Sequence, residues 1–109
     1  MKTGESVSDQ VFHILLSLRE GPRHGYGIIQ AVQARTGGAF TIGSGTLYSA
    51  IKRMESDGWI ERVKGPPGED PRRKYYGLTP AGRGVMLTEA RRLTELAAYA
   101  RVLVPKRGA

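Results

Sequence analysis

Apolar and polar positions separate most sharply between Gly43 and Arg62, in GSGTLYSAIKRMESDGWIER. Stepping about 100° per residue from Leu47 places Ala50, Ile51 and Met54 beside it, and Gly45, Ser49, Lys52 and Ser56 opposite, with Arg53 next to them. The pattern predicts a helix with an apolar back and a polar, basic front. Ser44, just ahead of the first apolar residue, is expected to be its N-cap, because a serine hydroxyl accepts from a free amide of the first turn. Asp57-Gly58 should stop the helix, since glycine takes the left-handed conformation at little steric cost. Trp59-Ile60-Glu61-Arg62-Val63 then has the aromatic and β-branched content of a strand.

Upstream, Met1 to Glu5 is polar and expected to fray. From Ser6 onward Val7, Val11, Ile14, Leu15 and Leu18 follow helical spacing, and Gly21-Pro22 closes the segment. Phe12 and Leu16 lie off the narrow stripe, so this first helix is apolar on more than one side. Two readings stand: a central core helix, or a helix whose second side meets a partner subunit. A second helix takes its stripe from Ile28, Ile29 and Val32 and stops at Gly37-Gly38. Gly25 and Gly27 near its start imply close packing or approach to a ligand backbone, leaving His24 and Tyr26 open to phosphate contact or to capping and packing. Phe40-Thr41-Ile42 reads as a brief core strand leading into the third helix.

Downstream, Lys64-Gly65-Pro66-Pro67-Gly68-Glu69-Asp70-Pro71 is too turn-rich to pair throughout and should form a long hairpin tip. Arg72-Arg73-Lys74 follows, with Tyr75-Tyr76-Gly77-Leu78 as the returning strand. A basic triplet beside such a tip suits a wing that grips phosphates or enters a minor groove; a solvated surface strand is the alternative. Glu69 and Asp70 would repel phosphate, so they are expected to pair with the arginines or to sit beyond the DNA.

Thr79-Pro80-Ala81-Gly82 opens a last helix, with Thr79 as N-cap and Pro80 at the first helical position. It is expected to reach Leu103, roughly 23 residues or about 35 Å, longer than a core this small can cover. Leu93, Leu96, Ala97, Ala100, Leu103 and Val104 keep a three-four spacing, with Arg91, Arg92, Glu95 and Arg101 on other sides. Packing back on its own domain is one reading of that stripe; a homodimer in which it meets helix one of the other subunit is the expectation. The fold class is therefore mainly α with a small β-hairpin wing, an α+β winged helix-turn-helix with a long C-terminal dimerisation helix. The division expected is a winged helix-turn-helix DNA-binding domain over residues 1–79, then the dimerisation helix and a basic Pro105-Lys106-Arg107 tail over 80–109.

Composition changes this picture in one respect. A chain of 109 residues with a formal charge of +7 attracts polyanions at long range whatever its fold. Nucleic acid is favoured over an anionic membrane, because no apolar run approaches the roughly 20 residues of a transmembrane span. Ser8, Asp9, Gln10 and His13 interrupt any signal-peptide layout, so a cytoplasmic location is expected. There is no cysteine, which excludes disulfides and thiolate metal sites. His13 and His24 are the only histidines, and neither has an acidic pair at metal-ligand spacing. Gly43-Ser44-Gly45-Thr46 lacks the lysine and the spacing of a P-loop. No enzyme activity, metal or cofactor is expected.

Three stretches in order carry a resemblance: Gly21-Pro22-Arg23-His24-Gly25-Tyr26-Gly27; Gly45-Thr46-Leu47-Tyr48 with Ile51, Arg53-Met54-Glu55 and Asp57-Gly58; and Arg73-Lys74-Tyr75-Tyr76 with Leu78-Thr79-Pro80-Ala81-Gly82-Arg83. With them the chain resembles the PadR family of bacterial winged helix-turn-helix transcriptional regulators over most of residues 10–83. The resemblance implies a homodimeric repressor whose third helix enters the major groove, whose wing contacts the minor groove or backbone, and whose C-terminal helix dimerises. The DNA-facing positions it implies are Ser44, Thr46, Tyr48, Ser49, Lys52 and Arg53, with Arg72, Arg73 and Lys74 in the wing. The single C-terminal helix resembles the compact subgroup, some of whose members bind flat aromatic drugs between subunits on a tryptophan of that helix; here the only tryptophan is Trp59. Ser49 stands where members commonly have proline.

The expected function is sequence-specific binding of a palindromic operator in double-stranded DNA by a homodimeric repressor, relieved by a small-molecule effector at the dimer interface. Leu93, Leu96, Ala97, Ala100 and Leu103 would form that interface. The rival is a winged-helix module for protein interaction, which would demand an apolar or acidic recognition face.

Overall fold

The computed structural model describes residues 7–105, in which four helices and three short strands follow one another. They are α1 (Asp9–Leu18), β1 (Arg23–His24), α2 (Gly25–Thr36), α3 (Ser44–Ser56), β2 (Ile60–Val63), β3 (Tyr75–Leu78) and α4 (Pro80–Arg101). The expectations for Met1 to Glu5 and for Lys106-Arg107 fall outside the described residues.

Three of the four helices start on a side-chain cap that satisfies an orphan amide. Ser8 Oγ accepts from the Val11 amide, His24 Nδ1 from that of Gly27, and Thr79 Oγ1 from that of Gly82, with Pro80 in the first turn as expected. The expected Ser44 cap is not the one that forms. The first helical bond of α3 runs from Leu47 N–H to Gly43 C=O, so Gly43 is the N-cap and Ser44 is already the first helical residue. Gly43 carries no side chain to cap with, and the start of α3 is left open to solvent. The helix ends at Asp57, with Gly58 at φ +79° as the stop.

The brief strand expected at Phe40–Ile42 is also absent. The Thr36 hydroxyl accepts from the Phe40 amide at 3.1 Å, folding this segment back on the end of α2, where the backbone is served by a side chain rather than a ladder. Ile42 still enters the core, and the His13 ring lies over Phe40 at 4.3 Å. The third strand comes instead from β1, two residues that periodicity cannot reveal. It pairs antiparallel with β3, Arg23 opposite Tyr76 and His24 opposite Tyr75, so the wing hairpin becomes a three-stranded sheet of order β1-β3-β2.

The core is one cluster: Ile14, Leu15 and Leu18 of α1, Ile28 and Val32 of α2, Leu47, Ile51 and Met54 of α3, with Ile42, Ile60, Tyr76 and Met86. The expected apolar back of α3 is thus its buried face. Phe12 and Leu16 are partly buried against the same cluster, so the second side of α1 also packs within the chain. At the wing base the Thr79 hydroxyl donates to Gly58 C=O at 2.6 Å and the Thr79 amide to Trp59 C=O at 3.1 Å, which ties the start of α4 to the turn after α3.

The first half of α4 buries Gly82, Met86 and Glu89 along one line. Glu89 is a carboxylate in that seam. Arg92 donates to it at 3.0 and 2.6 Å. The Arg92 bonds, opposed by burial, hold the Glu89 carboxyl below its ordinary value of 4.5. A depressed carboxylate contributes stability above the unfolded-state value and loses it as pH falls through the folded one. Melting temperature should therefore drop as pH is lowered below about 4.5, and Glu89→Gln should lose part of that dependence. Melting curves across acid pH check this; an identical pH dependence in the variant would remove Glu89 from the account.

Candidate nucleic-acid interface

Every side chain expected on the front of α3 is exposed: Ser44, Thr46, Tyr48, Ser49, Lys52 and Arg53. They do not form a single row. Thr46, Ser49 and Arg53 border one groove of about 590 Å³, whose other walls are Val7, Ser8, Gln10 and Val11 before and in α1, and Trp59. Tyr48 borders a separate cleft on the opposite flank. Lys52 projects near that second flank, since it follows Tyr48 by one helical turn. The tip of the helix is small: Gly43, Ser44 and Gly45 let its backbone come close to a surface.

The second cleft, about 440 Å³, brings together residues far apart in the chain: His24, Gly25 and Tyr26 at the start of α2, Tyr48 of α3, and Arg72, Arg73 and Lys74 of the wing. Gly25 leaves room for Tyr48 in this assembly. A Cβ there would lie 2.4 Å from the Tyr48 hydroxyl, so the tyrosine ring rests directly on the α2 backbone. Tyr48 remains 51% exposed and Tyr26 62% exposed at the cleft rim.

The wing carries its own acids. Asp70 accepts from the Arg72 amide at 2.9 Å and from its guanidinium at 3.2 and 3.1 Å, which answers the question the sequence raised about the acids beside the triplet. The Arg72 guanidinium and then its amide hold the Asp70 carboxyl below the usual range. Glu69 accepts from the Tyr75 hydroxyl, and this contact, followed by burial, pushes the phenol up. Arg72 is therefore partly neutralised in place, while Arg73 and Lys74 have no carboxylate at ion-pair distance among the described residues. Arg73 reaches His24 instead, its Nη1 lying 2.7 Å from His24 Nε2.

Of the residues expected at the site, His24, Tyr26, Tyr48 and the basic triplet converge, Thr46, Ser49 and Arg53 face elsewhere, and Ser44 and Lys52 lie on the exposed helix without lining either concavity. The expected dimer residues form a continuation rather than a cluster. Leu93, Leu96, Ala97 and Ala100 lie within roughly 60° of the line on which Gly82, Met86 and Glu89 are buried. The own domain ends beneath them: Leu93 is half-buried, Leu96 is 54% exposed, and Ala97 and Ala100 are exposed. Leu103 is exposed in the turn after Arg101 and so is not part of the helical stripe. Gly25 makes the close approach expected of a glycine at that helix start, whereas nothing in the local pattern singled out Glu89, whose partner Arg92 and burial depend on the packing of α4.

Among the described residues no group of three or more His, Asp or Glu side chains gathers at metal-binding distance, and no helix is long and apolar enough to cross a membrane.

The family description Transcriptional regulator PadR-like family matches residues 14–88. The "Uncharacterized 37.1 kDa protein in transposon TN4556" of Streptomyces fradiae is 33% identical over 90 residues, covering 83% of this chain and 24% of that protein, so the chain spans about a quarter of its length. Transcriptional regulator Rv3488 of Mycobacterium tuberculosis is 36% identical over 88 residues, covering 78% of this chain and 76% of the relative. Among solved structures, a PadR family transcription regulator from Clostridium difficile matches with a TM-score of 0.73 at 27% identity, over 87% of this chain and 97% of that one. Bacillus subtilis PadR in complex with operator DNA matches with a TM-score of 0.65 at 23% identity, over 74% and 46%, a likeness of fold alone. With the family pattern running from α1 into α4 on a winged helix-turn-helix of this architecture, the chain belongs to the PadR-like family of transcriptional regulators.

Proposed function

We propose that this chain is a homodimeric repressor that binds a palindromic operator in double-stranded DNA, α3 in the major groove and the wing on the backbone or minor groove. The observation that carries this reading is the exposed front of α3, polar and basic, beside a wing whose Arg73 and Lys74 have no carboxylate partner among the described residues. A formal charge of +7 supports a polyanionic partner, and the family supports DNA as that partner. The rival, a protein-interaction module, needs an apolar or acidic face where this helix presents serine, threonine, lysine and arginine. The second copy is proposed to pack on the exposed stripe of α4. A small-molecule effector acts at that interface, where it shifts DNA affinity by favouring one separation of the two reader helices.

Lys52→Ala tests the front of α3. Lys52 is exposed and outside the core cluster, so the variant should melt like the parent. Gel-shift titration against the promoter DNA beside its own gene should show one of two losses: about 1 to 3 kcal/mol with relaxed preference at one base pair, or a uniform loss with the salt slope reduced by about 0.9. Parental affinity with parental stability would remove Lys52 from the interface.

A further inference from the structure

The His24 ring faces two groups that can only donate. Nδ1 lies 3.0 Å from the Gly27 amide nitrogen, and Nε2 lies 2.7 Å from Arg73 Nη1. A neutral imidazole has one lone pair and one N–H, and an imidazolium has no lone pair at all, so the ring can accept from one of these partners and never from both. The Gly27 amide belongs to the first turn of α2, where no carbonyl precedes it to accept, and the helix holds it in place. Arg73 ends an exposed, flexible side chain. The lone pair therefore belongs to Nδ1, and Nε2 presents its hydrogen to a guanidinium.

Two facing donors are both satisfied when an oxygen anion takes a place beside them and accepts from each. The lining of this cleft fits such a guest: His24, Tyr26, Tyr48, Arg72, Arg73 and Lys74 supply donors, and no carboxylate lines it among the described residues. Arg72 is occupied by Asp70, whereas Arg73 has no carboxylate at ion-pair distance among the described residues. We propose that His24 Nε2–H and the Arg73 guanidinium together seat one phosphodiester of the DNA backbone, at the seam where α2, α3 and the wing meet. This rests on the proposed reading of duplex DNA as the partner. The seat couples parts that a single-helix reader would leave independent. One phosphate ties the wing to α2, and because Tyr48 lines the same cleft, that phosphate also sets how α3 sits against the duplex.

His24→Asn separates this role from a structural one, because asparagine is as good an N-cap as any residue and keeps an acceptor for Gly27, yet is too short to reach Arg73. The variant should melt like the parent and bind a labelled mixed-sequence duplex roughly tenfold more weakly, the loss expected for a hydrogen bond to a charged group. Arg73→Gln should also weaken binding and reduce the slope of log K against log salt by about 0.9. Because both residues act on one phosphate, the double variant should lose little beyond Arg73→Gln alone. Long-range proton–nitrogen spectra of the imidazole should find Nε2 protonated, and its signal should move on addition of duplex but not of inorganic phosphate at matched ionic strength. A parent that binds no duplex overturns the DNA reading and the seat together. A parent that binds duplex while His24→Asn binds equally well overturns the seat alone. Additive losses would place the two residues on different phosphates, a protonated Nδ1 would remove the facing donors, and an equal response to inorganic phosphate would assign the cleft to the free anion; each of these also overturns the seat.

Discussion

The double variant Leu93→Glu, Leu96→Glu is expected to sediment as a monomer or to unfold, and to lose specific DNA binding although α3 is untouched. The two leucines continue the line on which Gly82, Met86 and Glu89 are buried, where the domain's surface runs out beneath them, Leu93 half-buried and Leu96 exposed. One small domain makes few contacts, and a palindrome is read by two helices about 34 Å apart, so the second copy supplies both the second reader and its spacing. A carboxylate on that stripe would be buried without a partner on association, which is strongly unfavourable. Affinity should fall toward the non-specific level, on the order of a thousandfold or more. Analytical ultracentrifugation beside a gel-shift assay decides the matter. A parent protein that is monomeric at micromolar concentration and still binds its operator tightly would sink the proposed homodimer.

Gly82→Ala and Gly84→Ala, two residues apart in one helix, are expected to change stability in opposite directions. A Cβ on Gly82 would stand 1.9 Å from the Trp59 carbonyl oxygen and 2.8 Å from its carbon. Those are backbone atoms, held where the Thr79 amide donates to the same oxygen and Thr79 Oγ1 bonds Gly58, so they have little room to retreat. Overpacking against a fixed backbone should cost about 3 kcal/mol or more, lowering the melting temperature by roughly 12 to 24 °C in a domain of this size. Around Gly84 a Cβ meets nothing within 4 Å. Alanine there gains helix propensity worth up to about 1 kcal/mol and should raise the melting temperature by a few degrees, on the order of 5 °C. Thermal denaturation of the two variants side by side is the measurement. Equal effects would mean that helix propensity alone governs this turn and that the close approach to Trp59 does not constrain it.

The apolar back of α3, the stop at Asp57-Gly58, the Thr79-Pro80 start of α4 and the length of α4 past its domain were all legible in the sequence. Each depends on residues within a few positions of one another, and helical periodicity reports directly which face such neighbours bury. The same locality explains the errors. The expected cap at Ser44 is one residue off, because only the torsions of the finished turn place the N-cap at Gly43. Phe40–Ile42 has strand-like residues but no strand beside it, while Arg23–His24 is too short for any pattern and becomes β1 because β3 lies alongside. The pairing of Asp70 with Arg72, two positions on, was within reach of the sequence, where those acids are expected to meet the arginines. Only the tertiary structure decided where Arg73 goes: it arrives at His24, 49 positions earlier in the chain, while Glu69 takes the Tyr75 hydroxyl rather than an arginine. A basic triplet reads as three equal cations along the sequence, because local spacing carries no information about a partner brought in from a distant segment. The meeting of Arg73 with His24 follows from the fold that sets the wing against the start of α2.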